Sequence, residues 1–269
     1  MRNKRIRRVP VKLSDRRSAF MLAVVWCIAV LSFLASAAPL PKDKDKDKDK
    51  EYEGKVVDSG SFGVYQKGHR VGTETFSIYQ NGNGSIIRSE FKSGNTPPDV
   101  QSSEMQLTPT GDIRRYEWKE ASPEVAESVV LPNNEFLTQR WRTGAQEKEK
   151  EQPYLLALST SILDDYFFVQ REVLAWKYLA AACKQEKGQT QCPVKQRARF
   201  ATLNPHAHSS ASLTAEFLGR EKVTLKNGQQ ELLKLELENE MGKWQLWLDD
   251  QFKVMRISIV GENTEVERD

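Results

Sequence analysis

From residue 54 onward, apolar and polar side chains alternate in short runs, a pattern typical of strands that bury one face of an antiparallel sheet. Residues 85–93 place Ile87 and Phe91 on one face and Arg88 and Glu90 on the other. Glycine, proline and asparagine at most joins predict turns. The pattern predicts roughly a dozen strands, covering residues 54–68, 69–82, 85–93, 100–107, 113–120, 125–131, 136–142, 194–203, 213–225, 231–239, 244–248, 252–260 and 264–268.

The principal helical pattern lies between these two groups of strands. Apolar residues recur there three or four positions apart, which predicts a helix over about 160–185. Thr160 or Ser161 would act as the N-cap, and Asp164 and Asp165 would lie in the first turn, near the positive end of the helix dipole. Gly188 and Pro193 would end the helical segment. The apolar positions are Ile162, Leu163, Tyr166, Phe167, Val169, Val173, Leu174, Trp176, Tyr178 and Leu179.

Together these elements predict an α+β fold that is mainly antiparallel β. Helices do not alternate with strands, so a parallel βαβ architecture is excluded. One helix is available to cover the apolar face of many strands. A strongly curved sheet, or an incomplete β-barrel, wrapped around that central helix satisfies both conditions.

The N-terminal segment predicts export. Residues 19–38 form an uncharged apolar run that follows eight Lys or Arg and ends in small residues, as in a signal peptide. The run is also long enough for an uncleaved membrane anchor, which would place the domain outside the cytoplasm. We therefore divide the chain into a signal peptide or anchor at 1–38, a charged linker at 39–52 and one β-rich exported domain at 53–269. The expected location is the periplasm or the exterior, with any membrane contact confined to an uncleaved N-terminal segment.

The charge of the exported part excludes one class of partner. The chain carries a formal net charge of +3, and residues 1–18 hold eight Lys or Arg against one acid, so the remainder is near −4. Residues 42–51 alternate Lys with acidic residues and contain nothing apolar, which predicts a solvated linker. An acidic domain of this kind is not expected to bind nucleic acid, because counterion release requires clustered positive charge.

The two cysteines outside the apolar run predict a disulfide. Cys183 and Cys192 lie nine residues apart, and an even number of cysteines in an oxidising compartment indicates pairing. The spacing differs from the C-x-x-C of redox enzymes. A bond here would attach the end of the helix to the start of the next strand.

Residues that could carry catalysis or bind a metal do not form a convincing site in the sequence. His206 and His208 flank one alanine, but the surrounding Asn, Pro and Ser predict an exposed loop rather than a metal site. Ser89 and Lys92 match S-x-x-K, yet strand alternation would place them on opposite faces. Asp164-Asp165 and Asp249-Asp250 are explained by a helix start and a turn. We therefore predict no catalytic residue, no metal and no cofactor.

Two segments resemble a family of uncharacterised exported bacterial β-rich proteins. SFGVYQKGHRVGTETFSIYQ resembles the family's opening strands, with a glycine-bearing turn and a G-T-E-x-F strand. GKWQLWLDDQFKVMRISIVGENTEVERD resembles its closing hairpins. The pattern is also similar to the bacterial lipoprotein-carrier fold, an unclosed β-barrel with a helix in its concavity. The family resemblance implies no functional residues, and the carrier resemblance implies only an apolar concavity.

These observations favour a non-catalytic envelope protein that binds a lipid, an acylated molecule or another apolar ligand between sheet and helix. Tyr166, Phe167, Leu174 and Trp176 would form the wall of the site. The alternative is a structural or protein-interaction module of the envelope, with no small ligand, that uses a sheet edge or face. A hydrolase is the least favoured class. The sequence does not specify ligand identity, strand order or oligomeric state.

Overall fold

The computed structural model describes residues 54–122, 125–144, 146–186, 189–240 and 242–269. The predicted signal or anchor and the charged linker lie outside these residues. The described part contains one helix, α1 (Val169–Ala182), and the following strands: β1 (Lys55–Gln66), β2 (His69–Asn81), β3 (Gly84–Ser93), β4 (Val100–Leu107), β5 (Ile113–Ser122), β6 (Ala126–Asn133), β7 (Phe136–Arg142), β8 (Lys150–Tyr154), β9 (Ser161–Ile162), β10 (Lys184–Glu186), β11 (Gln189–Gln191), β12 (Arg197–Asn204), β13 (Ser209–Leu225), β14 (Gly228–Asn239), β15 (Gly242–Leu248), β16 (Val254–Ile259) and β17 (Thr264–Arg268).

Fifteen of these strands form one sheet, in the order β8-β7-β6-β5-β4-β3-β2-β1-β17-β16-β15-β14-β13-β12-β9. Apart from β9, each half is a meander in which neighbours in sequence are neighbours in the sheet. The halves join where the first and last strands pair antiparallel, with Phe62 opposite Arg268. All pairings are antiparallel except that of β9 with β12. The sheet is therefore large, curved and unclosed, and the predicted fold class is confirmed.

Strand alternation places the core on one face of the sheet. In β14, Leu233, Leu235 and Leu237 are buried, whereas the charged residues between them are more exposed. Phe62 and Val266 continue the same buried layer across the junction of the two halves. Burying this face provides the main driving force for the curvature, because each buried apolar side chain of this size contributes about 1.5–3 kcal/mol.

The helix lies against residues from both halves of the sheet. Val169, Leu174 and Tyr178 are fully buried. The Tyr178 hydroxyl donates to Gln196 O and accepts from Phe217 N in β13, and the Trp176 indole donates to Phe252 O. No helix in the described ranges combines the length and apolar character that crossing a membrane requires.

The predicted helix boundaries were wrong at both ends. Ser161 and Ile162 form β9, and the helix begins only at Val169, with Phe168 as its N-cap residue. Asp164 and Asp165 therefore precede the helix instead of lying in its first turn, and the Asp164 carboxylate accepts a hydrogen bond from Tyr116 of β5. The helix ends before Cys183, which is extended, rather than near Gly188.

The two cysteine sulfurs lie 2.09 Å apart, at bonding distance, as the sequence predicted. The residues between them include β10 and β11, which form a separate two-stranded sheet. Both cysteines pack against the main core. The pair therefore ties the end of α1 to the segment that enters β12.

Candidate functional site

The four residues predicted to contact an apolar ligand occupy different environments. Phe167 and Leu174 are fully buried in the core, Trp176 is half-buried, and Tyr166 is 37% exposed. A cavity beside the helix, lined in part by Leu174, measures about 10 Å³. A single water needs about 10–15 Å³, so this cavity is too small for an acyl chain. Binding by these four residues stays a prediction.

Glu74, in the G-T-E-x-F segment, caps the helix from another part of the chain. Its carboxylate accepts hydrogen bonds from Phe168 N (2.7 Å) and Val169 N (3.3 Å) and from the Ser89 hydroxyl (2.6 Å). Burial raises the pKa of Glu74 to about 7, although these donors act in the opposite direction. The residue therefore holds β2, β3 and the N-terminus of α1 together.

A second buried ionic cluster holds the helix to the junction of the two halves. The Arg268 guanidinium donates to both Asp58 oxygens and to Glu172 Oε2 (3.0 Å). Lys253 Nζ also contacts Asp58 (2.9 Å), and Val254 N donates to Glu172. β1, α1 and β17 thus meet at one cluster of paired charges.

The pKa values of the two carboxyls in this cluster are shifted in opposite directions. Burial and the neighbouring Asp58 carboxyl raise the pKa of Glu172 to about 9. Burial opposes ionisation of Asp58 as well, but hydrogen bonds from Arg268, Glu172 and Lys253 outweigh it and lower its pKa to about 2. Two cations, Arg268 and Lys253, therefore face two carboxyls in this cluster.

The turn between β12 and β13 is packed rather than exposed, which corrects the expectation for the two histidines. The His206 ring stacks on Trp118 with ring centroids 3.9 Å apart, and its Nδ1 lies 2.5 Å from Asp164 Oδ1. The His208 ring stacks on Trp141 at 4.2 Å. Both imidazole rings lie on indole faces because the fold brings residues distant in sequence together. The spacing of residues in the sequence does not show these contacts.

Further contacts make this turn the bridge between the two halves of the unclosed sheet. Gln139 of β7 donates from Nε2 to Pro205 O (2.6 Å), and Tyr154 of β8 donates to Gln139 Oε1 (3.0 Å). Asn204 Nδ2 donates to Asp165 Oδ1 (2.7 Å). Side chains therefore connect the halves at this point, where no strand ladder does so in the described ranges.

Several residues that could have carried chemistry have structural partners instead. Tyr116 donates to Asp164 (2.6 Å), and Ser89 donates to Glu74. Lys92 is exposed and pairs with Glu90, so the S-x-x-K residues lie on opposite faces. No group of three or more His, Cys, Asp or Glu side chains in the described residues is arranged to hold a metal.

The outer face of the N-terminal half carries a concavity of about 500 Å³, here called the outer groove. Its lining combines the short side chains of Thr75, Ser77 and Ser102, here called the groove floor, with long charged side chains of the neighbouring strands. Its lining is Thr75, Phe76, Ser77, Arg88, Ser89, Glu90, Ser102, Ser103, Glu104, Glu117 and Lys119.

Strand register arranges the charges of the outer groove in a row across the sheet. Ser77 lies opposite Arg88, Arg88 opposite Glu104, and Glu104 opposite Glu117. The two adjacent carboxylates are each neutralised, by Arg88 (2.9 Å) and by Arg115 (2.6 Å). A smaller concavity of about 190 Å³ shares Glu117 and continues across β6 and β7.

The pKa of Glu104 in the groove is lowered. Burial acts to raise the pKa of Glu104, but hydrogen bonds from Gln106 and Arg88 outweigh it and hold the pKa below 4.5. The sequence showed which residues of β3 lie on the outer face. It did not show the groove, because the groove depends on which strands are neighbours and on the curvature of the sheet.

No protein-family model matches the chain, and no curated protein matches it. Among solved structures, a β-barrel-like protein of the domain of unknown function DUF1849 from Brucella abortus is similar to it. The sequence identity is 8%, the TM-score is 0.48, and the match covers 78% of this chain and 93% of that chain.

Proposed function

We propose that this chain is a non-catalytic binding module of the cell envelope and that the outer groove holds a polar partner. The observation that carries this proposal is the contrast between the two concavities. The groove offers about 500 Å³ lined by hydroxyl and charged side chains, whereas the space beside the helix is about 10 Å³. A polar segment of an envelope protein, or another polar ligand, suits such a lining.

Export belongs to the same proposal. Its support is the charged and apolar order of residues 1–38 together with the cysteine pair at bonding distance, since disulfides persist in oxidising compartments. Fractionation of cells that produce the full chain tests this part. We expect the protein in the periplasmic, secreted or outward-facing membrane-anchored fraction, and recovery in the cytoplasm would contradict it.

A photocrosslinking side chain placed at Ser102 tests the groove. Ser102 lies on the groove floor, and Thr224 is an exposed control position on β13. We expect a discrete adduct in the envelope from position 102, reduced when Ser77→Trp fills the groove, and no such adduct from position 224. Equal labelling at positions 102 and 224 would contradict the proposal that the partner binds in the outer groove.

Native mass spectrometry of the protein taken from its own envelope tests the competing interpretation. An apolar ligand beside the helix requires α1 or the turn between β12 and β13 to move away, because Phe167 and Leu174 are fully buried. A co-purifying lipid mass that disappears when Leu174 is changed to Trp would favour the interior site. A protein free of lipid would leave the groove as the binding surface.

A further inference from the structure

The edge of β12 differs from the rest of the sheet because its neighbour is very short. β9 pairs only with Thr202 and Leu203 of β12. In the ranges that the structure describes, residues 197–201 pair with β13 on one side and with no strand on the other. An unpaired strand edge presents main-chain donors and acceptors to any extended segment that reaches it.

The main-chain groups that face this edge can be identified. Leu163 N donates to Leu203 O (3.0 Å), so the main-chain groups of Leu203 point away from β13. Alternate residues of a strand point their N–H and C=O groups to the same side. Arg197, Arg199 and Ala201 therefore present their main-chain groups along the unpaired edge.

The opposite edge of the sheet carries a proline, whereas this edge does not. β8 is short and contains Pro153. Proline prevents strand addition because it has no main-chain N–H to donate. The segment 197–201 contains no proline, and its Ala198 and Phe200 are half-buried apolar residues that pack against the core.

The charge of the edge selects the partner. Lys195 and Arg199 are without ion-pair partners among the described residues, and Arg197 pairs with Glu216 while remaining 69% exposed. Two copies of this edge paired with each other would bring their basic side chains together. The charge therefore favours a different chain with acidic residues at alternate positions.

We propose that residues 197–201 of β12 form a docking edge that binds an extended acidic segment of a partner protein by strand addition. Main-chain hydrogen bonds to Arg197, Arg199 and Ala201 provide the pairing, and the basic side chains select the acidic sequence. This inference is independent of the outer groove, which lies on β2 to β5.

Synthetic hexapeptides titrated into the full-length protein test the docking edge. The probes are an alternating glutamate–valine peptide, the same peptide N-methylated at alternate residues, and a lysine–valine peptide. We expect binding of the first alone, because N-methylation removes the main-chain donors and lysine reverses the charge. Equal binding of the N-methylated peptide, or no binding of the first, would overturn the proposal.

Variants of the protein locate the site. Arg199→Glu is expected to weaken binding of the acidic peptide by about tenfold or more, the effect of one lost charge contact. Lys222→Glu, at an exposed position on β13, serves as the charge-matched control and should leave binding unchanged. Ser77→Trp should also leave it unchanged, so failure of the groove and failure of the edge are distinguishable. Equal loss in the Arg199 and Lys222 variants would contradict the assignment to β12.

Discussion

Single residues with distant partners decide how the interior of this molecule is held. Glu74 lies 94 residues before the first helix amide that it accepts from, and Asp164 lies 48 residues after the tyrosine that donates to it. Each buried polar group would cost about 1–3 kcal/mol if its partner were removed. These contacts therefore constrain the fold more than their number suggests.

The raised pKa of Glu74 predicts a specific pH dependence of stability. Burial raises the pKa of Glu74 from 4.5 to about 7, so the folded state holds the proton more tightly than the unfolded chain does. The contribution of protonated Glu74 to the free energy of unfolding is complete below pH 4.5 and is lost as the pH rises through about 7. The total change is about 3 kcal/mol. Glu74→Gln should remove this pH dependence of stability, as measured by urea unfolding between pH 4 and 8.

The control for this measurement is Glu231→Gln, at an exposed position on β14. Its pH profile should follow that of the wild-type protein. The difference in free energy of unfolding between wild-type and Glu74→Gln should change by about 3 kcal/mol across the interval. Parallel profiles for all three proteins would show that Glu74 does not titrate in this range.

His206 gives the second prediction at this scale. His206→Ala removes the stack on Trp118 and the contact with Asp164, so we expect a loss of about 1–3 kcal/mol in the free energy of unfolding. Acrylamide should also quench tryptophan fluorescence more strongly. His69→Ala, at an exposed position on β2, is the matched control. Equal effects of the two substitutions would refute the role given to His206.

Residue patterns reveal local geometry but not distant partners. The alternation of leucines in β14 and the opposite faces of Ser89 and Lys92 were predicted correctly because a strand repeats every two residues. The packing of His206 was predicted wrongly, since Asn204 and Pro205 are typical of an exposed turn. What buries the ring is an indole on β5, and no local signal in the sequence indicates that contact.

Among the elements, the helix shows how tertiary contacts move a boundary. The apolar positions near Ile162 fit a helical period, but a pairing with β12 makes this segment a strand. Helix-forming tendency is a weak preference that a strand ladder and a buried carboxylate can outweigh. The central part, which includes Leu174 and Tyr178, was predicted correctly because its apolar positions repeat over several turns.

The link between α1 and β12 gives the prediction at this scale. Changing Cys183 and Cys192 together to Ser removes the bond that ties the end of the helix to the segment before β12. The two cysteines are nine residues apart in the sequence. A loop of this length implies a loss of about 2–3 kcal/mol in the free energy of unfolding. Thermal unfolding of the variant, and of reduced wild-type protein, should give the same lowered midpoint. An unchanged midpoint in both would show that the bond does not stabilise the fold.

At the scale of the whole molecule, strand order determines which surfaces exist. The two meanders follow from short turns between successive strands, which the sequence indicates. The pairing of β1 with β17 joins the two ends of the domain, and no local pattern predicts it. The outer groove and the unpaired edge of β12 both depend on this order, so neither could be located before the structure was known.

The junction of the two halves carries the last prediction. Arg268 of β17 binds Asp58 of β1 and Glu172 of α1, and its side chain is 11% exposed. Arg268→Ala leaves the buried Asp58 carboxylate without its main partner, which should cost about 3–5 kcal/mol. Arg220→Ala breaks an exposed pair with Asp250 and should cost about 0–1 kcal/mol.

Because the ladder between β1 and β17 crosses the junction as well as the Arg268 contacts, the two halves should unfold together. Urea unfolding followed by fluorescence should show one transition in wild-type protein, and the same single transition at lower urea in Arg268→Ala. Burial and Asp58 raise the pKa of Glu172 to about 9, which favours the neutral form, so Glu172→Gln should be far less harmful than Arg268→Ala. If the Gln variant is as damaging as the Ala variant, the cluster requires a charged Glu172.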